Sequence, residues 1–171
     1  MKLTMLAATP WLLLAGVSAW ADNTADIPVT GSVPVYLNVD SSTPGGLNTQ
    51  LPLNYDPTSN TFDGSRDLVF NTTDTSKGVQ VQLTNDDHMS GAIVGNTAQV
   101  PLQLTLTANG VTSTVLQNRN DTTTISRANM NWNNTTLTSP DITLHVLGVP
   151  TGRIPADVYS SHVQLTFSLA P

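Results

Sequence analysis

The chain has 171 residues, no cysteine and only 11% charged residues, against roughly a quarter in an ordinary soluble domain. All 12 acidic residues are Asp, Lys and Arg together number 6, and the formal net charge is −6. This excludes a helical bundle, whose exposed faces need Glu, Lys and Arg, a disulfide scaffold, and a nucleic-acid binder, which needs a basic surface. A chain rich in Thr, Ser and Asn, with scattered Gly and Pro, is read instead as all-β.

Met1 and Lys2 give a short positive start, and Leu3 to Val17 is an apolar run. Ser18-Ala19-Trp20-Ala21 then places small residues where a signal peptidase reads them. Residues 1–21 are therefore expected to be a secretory signal cleaved after Ala21. The run is short for a membrane span of about 20 residues and has no charged stop-transfer flank. An exported chain without disulfides must draw its stability from packing or from a partner.

Period-two alternation, the signature of half-buried strands, recurs along the rest of the chain. The first row is Ile27, Val29, (Gly31), Val33, Val35 and Leu37. Leu51, Leu53 and Tyr55 form a short one; Val79, Val81 and Leu83 a clean one; Val100, Leu102, Leu104 and Leu106 follow. Asn109-Gly110 predicts a type I′ hairpin, with a return strand over Val111 to Leu116. Ile142, Leu144 and Val146 predict another strand, and Val163, Leu165, Phe167 and Leu169 the last. Turn signals lie at Thr43-Pro44-Gly45-Gly46, Asp56-Pro57-Thr58, Asp63-Gly64-Ser65, Ser90-Gly91 and Gly148-Val149-Pro150. Asn118 to Thr138 is weakly patterned and reads as a surface excursion around Trp132. Six to eight strands at this spacing, with no convincing amphipathic helix, predict a sandwich.

Candidate chemistry is sparse. There is no G-x-S-x-G elbow, no thiol and no Glu. Asp86-Asp87-His88 is a candidate cation cluster, but such a run is more often a solvated turn. Asp56, Asn60, Asp63 and Gly64 superficially resemble a calcium loop without its spacing or terminal acid. No metal site or cofactor is expected. His145 and His162 alternate with apolar neighbours and are expected to face outward. The sequons at Asn71, Asn120, Asn133 and Asn134 are expected by chance in so Asn- and Thr-rich a chain. Trp132 is read as a core anchor in preference to a sugar-stacking platform.

The most informative segment is Ile27 to Val35. Its apolar residues alternate strictly, with Pro28 and Pro34 at off-face positions and Gly31 interrupting the row. Proline disfavours a central strand but is tolerated at an edge or in a strand added from outside. Two readings stand equal on pattern alone: a strand inserted into a groove with one shallow pocket, or an ordinary first strand with a bulge at Gly31.

Four stretches, in order, resemble the major pilin subunits of class 5 (alternate chaperone–usher) fimbriae, the colonisation-factor and cable-pilus family. Ile27-Pro28-Val29-Thr30-Gly31-Ser32-Val33 is similar to the family's I-T-V-T-A-x-V segment, and Tyr55 to Phe62 to its Y-x-P-x-x-x-x-F stretch. Thr72 to Leu83 is similar to T-N-D-x-[ST]-K-x-[VI]-x-V-x-L, and Ala156 to Leu165 to the closing A-G-x-Y-S-G-x-V-x-L. Pro28, Gly31, Asp157 and Ser161 depart from these patterns.

The resemblance implies an immunoglobulin-like β-sandwich, incomplete on its own and completed by a donor strand from a neighbouring subunit. It implies a signal peptide over 1–21, a donor segment over 22–36 and a sandwich domain over 37–171. Ile27, Val29, Gly31 and Val33 would enter the neighbour's groove, with Val35 at its margin, and Val163, Leu165, Phe167 and Leu169 would line one wall of the recipient groove. The implied partners are identical subunits, a periplasmic chaperone, an outer-membrane usher and a tip adhesin. The implied location is a surface fimbria reached through the periplasm, and no enzymatic activity is expected. The alternatives are a secreted carbohydrate-binding sandwich or tip adhesin, which needs an exposed aromatic platform, and a small hydrolase, which needs a nucleophile.

Overall fold

In the computed structural model the alternating rows at 79–83, 100–106, 142–146 and 165–169 become strands whose apolar parity points into one core. The structure describes residues 32–42, 47, 50–85 and 87–171, and Val33–Pro171 is one compact unit. In chain order the elements are β1 (Leu37–Ser41), β2 (Asn54–Asp56), β3 (Thr61–Thr72), β4 (Val79–Asn85), β5 (His88–Gly91), β6 (Gln99–Ala108), β7 (Val111–Thr112), β8 (Thr122–Ile125), α1 (Arg127–Met130), β9 (Ile142–Gly148), β10 (Tyr159–Ser160) and β11 (Gln164–Leu169). The larger sheet runs β1-β3-β9-β6-β5-β10, with β2 on β3 and β7 on β6, and the smaller runs β11-β4-β8. Every described pairing is antiparallel.

The core lies between the two sheets. Leu68 and Phe70 of β3, Val100 to Ala108 of β6, and Ile142 and Val146 of β9 face Val79, Val81 and Leu83 of β4 and Ile125 of β8. The Asn109-Gly110 turn forms as expected: Ala108 pairs with Val111, and both turn residues have positive φ (50° and 76°). The return strand is shorter than expected. Beyond Thr112 the Ser113 hydroxyl accepts the Leu106 amide at 3.0 Å in place of a carbonyl, and the ladder resumes only as a bridge between Leu104 and Leu116.

Of three expected turns, one lies inside a strand and two begin at strand ends. Asp63-Gly64-Ser65 lies within β3, where Gly64 holds a core-facing position. A Cβ there would stand 2.6 Å from Leu53 Cδ2 and 2.8 Å from the Pro52 carbonyl oxygen, so this glycine admits the incoming 51–53 segment. Ser90-Gly91 belongs to β5, where a Cβ on Gly91 would meet Asn96 and Asp157. Gly148 closes β9 between Phe62 and Leu102, beneath Met89. Leu51 and Leu53 pack on the core without strand pairing, leaving only Asn54–Asp56 as β2.

The expected surface excursion at Asn118 to Thr138 is also corrected. It carries β8, the third strand of the smaller sheet, and α1, capped by the Ser126 hydroxyl, which accepts the Asn129 amide. Ile125 and Met130 of this segment are buried. Trp132 is the anchor expected of it: half-buried against the core, its Nε1 donates to the Lys77 carbonyl at 2.8 Å.

Candidate functional site: an open seam between two sheet edges

β11 ends the smaller sheet, and among the described residues it has a strand partner, β4, on one side only. Burial follows from that position. Val79, Val81 and Leu83 of β4 are fully buried, whereas Leu165, Phe167 and Leu169, their partners in register, are only half-buried. The Phe167 ring meets the buried Phe70 edge-on, with centroids 5.3 Å apart and planes at 67°. Val163 precedes the strand and packs half-buried on the same core. The last apolar row of the sequence is thus gathered on one open edge.

The facing rim comes from β1, the outermost strand of the larger sheet. Leu37 and Val39 are half-buried against the core on this side, and β1 approaches β11 across the sandwich. Among the described residues no strand joins these two edges, and their half-covered apolar rows form a seam above the fully buried Phe70. Leu37 was legible as the end of the first alternating row, though sequence alone assigned it no wall, and Val39 was not singled out.

The backbone at the root of β1 is held by two hydroxyls. Thr73 Oγ1 donates to the Pro34 carbonyl at 3.0 Å and accepts the Tyr36 amide at 3.2 Å. Thr72 Oγ1, fully buried, donates to the Tyr36 carbonyl at 2.7 Å. Just before this clasp Val33 is 78% exposed, and Val35 within it 65%. Neither belongs to a strand. Of the candidate donor residues, Ile27, Val29 and Gly31 lie outside the described residues, as does the signal segment 1–21.

The other candidates do not assemble into a site. Asp86 lies outside the described residues. Asp87 and His88 pair with each other at 2.8 Å, and the His88 hydrogen bond is the main reason the Asp87 carboxyl sits below its ordinary pKa. Asp56 accepts the Thr58 amide and the Ser59 hydroxyl at the β2–β3 turn, while Asp63 points to His145, 2.8 Å from its Nε2. The two acids of the calcium-like spacing thus serve different partners. His145 and His162 face outward as expected. Among the described residues no group of three or more His, Cys, Asp or Glu is placed to hold a metal. A flat aromatic platform is also lacking at Trp132, and Tyr55, Phe62 and Tyr159 tilt against one another at 45° and 58°. No described helix is long and apolar enough to cross a membrane.

No protein-family model matches the sequence, and a search of characterised proteins finds no match. Solved structures do match. The chain is similar to the CooA pilin subunit from enterotoxigenic Escherichia coli, at 23% identity and a TM-score of 0.64, over 80% of this chain and 88% of that one. It is also similar to a chain of a chaperone–tip adhesin complex of CFA/I fimbriae biogenesis, at 14% identity and a TM-score of 0.52, over 79% of this chain but 42% of that one. These similarities establish the fold: an immunoglobulin-like β-sandwich of the kind seen in a fimbrial pilin.

Proposed function

We propose that the chain is a structural subunit of a bacterial fimbria of the class 5 type, assembled by donor-strand complementation. The observation that carries this reading is the seam: among the described residues, an apolar edge at β11 with a strand partner on one side only, in the same molecule as the exposed Val33 and Val35 ahead of β1. Residues 22–36 act as the donor segment, with its root at the Thr72–Thr73 clasp. Extended residues 22–33 reach about 40 Å at ~3.3 Å per residue, ample for an edge strand of about 20 Å. A chaperone holds the seam during passage through the periplasm, and an outer-membrane usher exchanges it for the donor segment of the next copy. The polymer is displayed on the cell surface and carries a tip adhesin. The role is structural, with no catalytic step.

The energetics suit this division. Seating four apolar side chains at about 1.5–3 kcal/mol each contributes roughly 6–12 kcal/mol. That is comparable to the whole stability of a domain, about 5–15 kcal/mol. Backbone pairing along the edge adds register specificity. Val29→Asp places a charge in the apolar row and is expected to abolish the polymer ladder seen in SDS without heating, while the precursor is still exported. Deletion of Asp22 to Val35 is expected to do the same. A heat-labile ladder persisting in either variant overturns the reading.

A further inference from the structure

The direction in which β11 presents its backbone groups constrains how a donor strand can lie on it. The Ala170 amide donates to the Gly78 carbonyl at 2.9 Å, so Ala170 points its backbone groups toward β4. On the next strand Leu83 bonds to Asn120 and Asp121, away from β11. Backbone direction alternates with residue number, and the one irregularity of the β11–β4 ladder lies between Gln164 and Leu165. Leu165, Phe167 and Leu169 therefore turn their N–H and C=O groups to the open edge, and the same residues turn their side chains inward.

An added strand must place Ile27, Val29, Gly31 and Val33 on that inward face too. In an antiparallel ladder, directly opposite residues bond to each other when one of them faces its partner. The odd-numbered donor residues then bond to β11, and Pro28 and Pro34 turn their missing donors away from it. In a parallel ladder a residue bonds to the two neighbours of the one opposite. The even-numbered residues would then face β11, and both prolines would leave carbonyls on its edge without an N–H. The prolines thus select the antiparallel arrangement.

Phe167 selects the register. It is the largest inward side chain of β11 and leans on Phe70 at the floor of the seam. The residue directly opposite, about 5.5 Å away between Cα atoms, has the least room. Gly31 is the one inward donor position without a side chain. Resting on the donor-strand reading, we propose that Gly31 of one copy seats opposite Phe167 of the next. Val29 then lies opposite Leu169 and Val33 opposite Leu165, while Val35 meets the rim at Val163. Thr30 faces Ser168 and Ser32 faces Thr166 on the outer, exposed side.

Those outer pairs are the non-hydrogen-bonded ones, about 4.5 Å apart between Cα atoms, within disulfide reach. Diagonal pairs lie about 7–8 Å apart and beyond it. The chain has no cysteine of its own. Four full-length variants, each with two substitutions, are produced in the native host: Thr30→Cys with Ser168→Cys, Ser32→Cys with Thr166→Cys, and the crossed pairs Thr30→Cys with Thr166→Cys and Ser32→Cys with Ser168→Cys. Surface polymers are then heated in SDS without reductant. The first two are expected to give heat-resistant, reductant-sensitive ladders, about tenfold stronger than the crossed pairs. A stronger ladder from a crossed pair, or none from any pair in variants that still form heat-labile polymers, overturns the register while leaving donor-strand assembly intact. Loss of polymers in all four overturns both, and a disulfide-closed monomer overturns the neighbouring copy as the occupant.

Discussion

Replacing Phe167 by Ala isolates what the seam gains when it is filled. A fully buried Phe→Ala change costs about 3–5 kcal/mol. In the open subunit Phe167 is half-buried, its ring contacting Phe70 on one side. Half of that loss, about 2 kcal/mol, is the expected cost there. Once a donor strand covers the ring, the full cost applies, so the interface itself is weakened by about 2 kcal/mol. At about 2–4 °C per kcal/mol for a chain of this size, SDS-resistant polymers should dissociate roughly 4–8 °C lower. Gly31→Val alone should weaken the wild-type polymer by about 1–3 kcal/mol through overpacking against Phe167. Combined with Phe167→Ala it fills the vacated space, so the double variant should lose less than the sum of the singles. The readout is the temperature at which each polymer ladder collapses to monomer. An unchanged temperature for Phe167→Ala, or strict additivity in the double variant, would refute the reasoning.

Three further outcomes test the fold that supports the seam. Gly64→Ala puts a Cβ within 2.8 Å of the Pro52 carbonyl oxygen, and should cost about 1–3 kcal/mol in thermal unfolding; an unchanged melting temperature would mean the 51–53 segment does not pack there. Trp132→Phe keeps a ring but strips the Lys77 carbonyl of its donor, at an expected cost of about 1 kcal/mol. The Asp121 carboxyl is held below its ordinary pKa by the Gln117 and Asn118 amides. Its contribution is thus complete above the unfolded value of 3.8 and is lost as pH falls through the lower folded value. Hydrogen exchange at Gln117 and Asn118, corrected for intrinsic rates, should show protection falling over that acid range, and Asp121→Ala should remove the pH dependence.

The sequence made legible those strands whose own side chains fill the core. β4, β6, β9 and β11 each alternate apolar and polar residues, and each forms where the alternation lies. β3 is the longest described strand at 12 residues, yet residues 63–67 read as Asp-Gly-Ser-Arg-Asp. Its core-facing places there are filled from outside: Leu53 lies over Gly64, and the Arg66 guanidinium donates to the Leu47 and Gln50 carbonyls. Strand pairing at that point is decided by tertiary packing, which a local pattern does not carry. β8 hides for a related reason, because its buried positions are Thr123 and Ile125 and the first of these reads as polar. Of the candidate site, the row Val163 to Leu169 was legible as a strand, whereas its position at an open edge follows only from sheet order. The clasp at Thr72 and Thr73 had no signal, since hydroxyls that bond backbone 36 to 39 residues away look like any other Thr.

An exposed edge strand is an aggregation hazard, which proteins commonly blunt with charge, proline, bulges or a cover. β8, at the far edge of the smaller sheet, is partly covered: Thr114 Oγ1 donates to Thr123 Oγ1 at 2.8 Å. β11 has six residues, none of them charged and none proline, and its one irregularity lies at its first residue, outside the apolar row Leu165 to Leu169. On the proposed reading that edge is kept plain because it must accept a strand, and the safeguard lies in the strand it accepts. With the inferred register, Pro28 and Pro34 turn their donor-less nitrogens to the far side of the added strand. The seam can then take one strand, while that strand is a poor template for another. The same two residues that argue against an ordinary interior strand would limit growth to a linear chain of subunits, one donor to one groove.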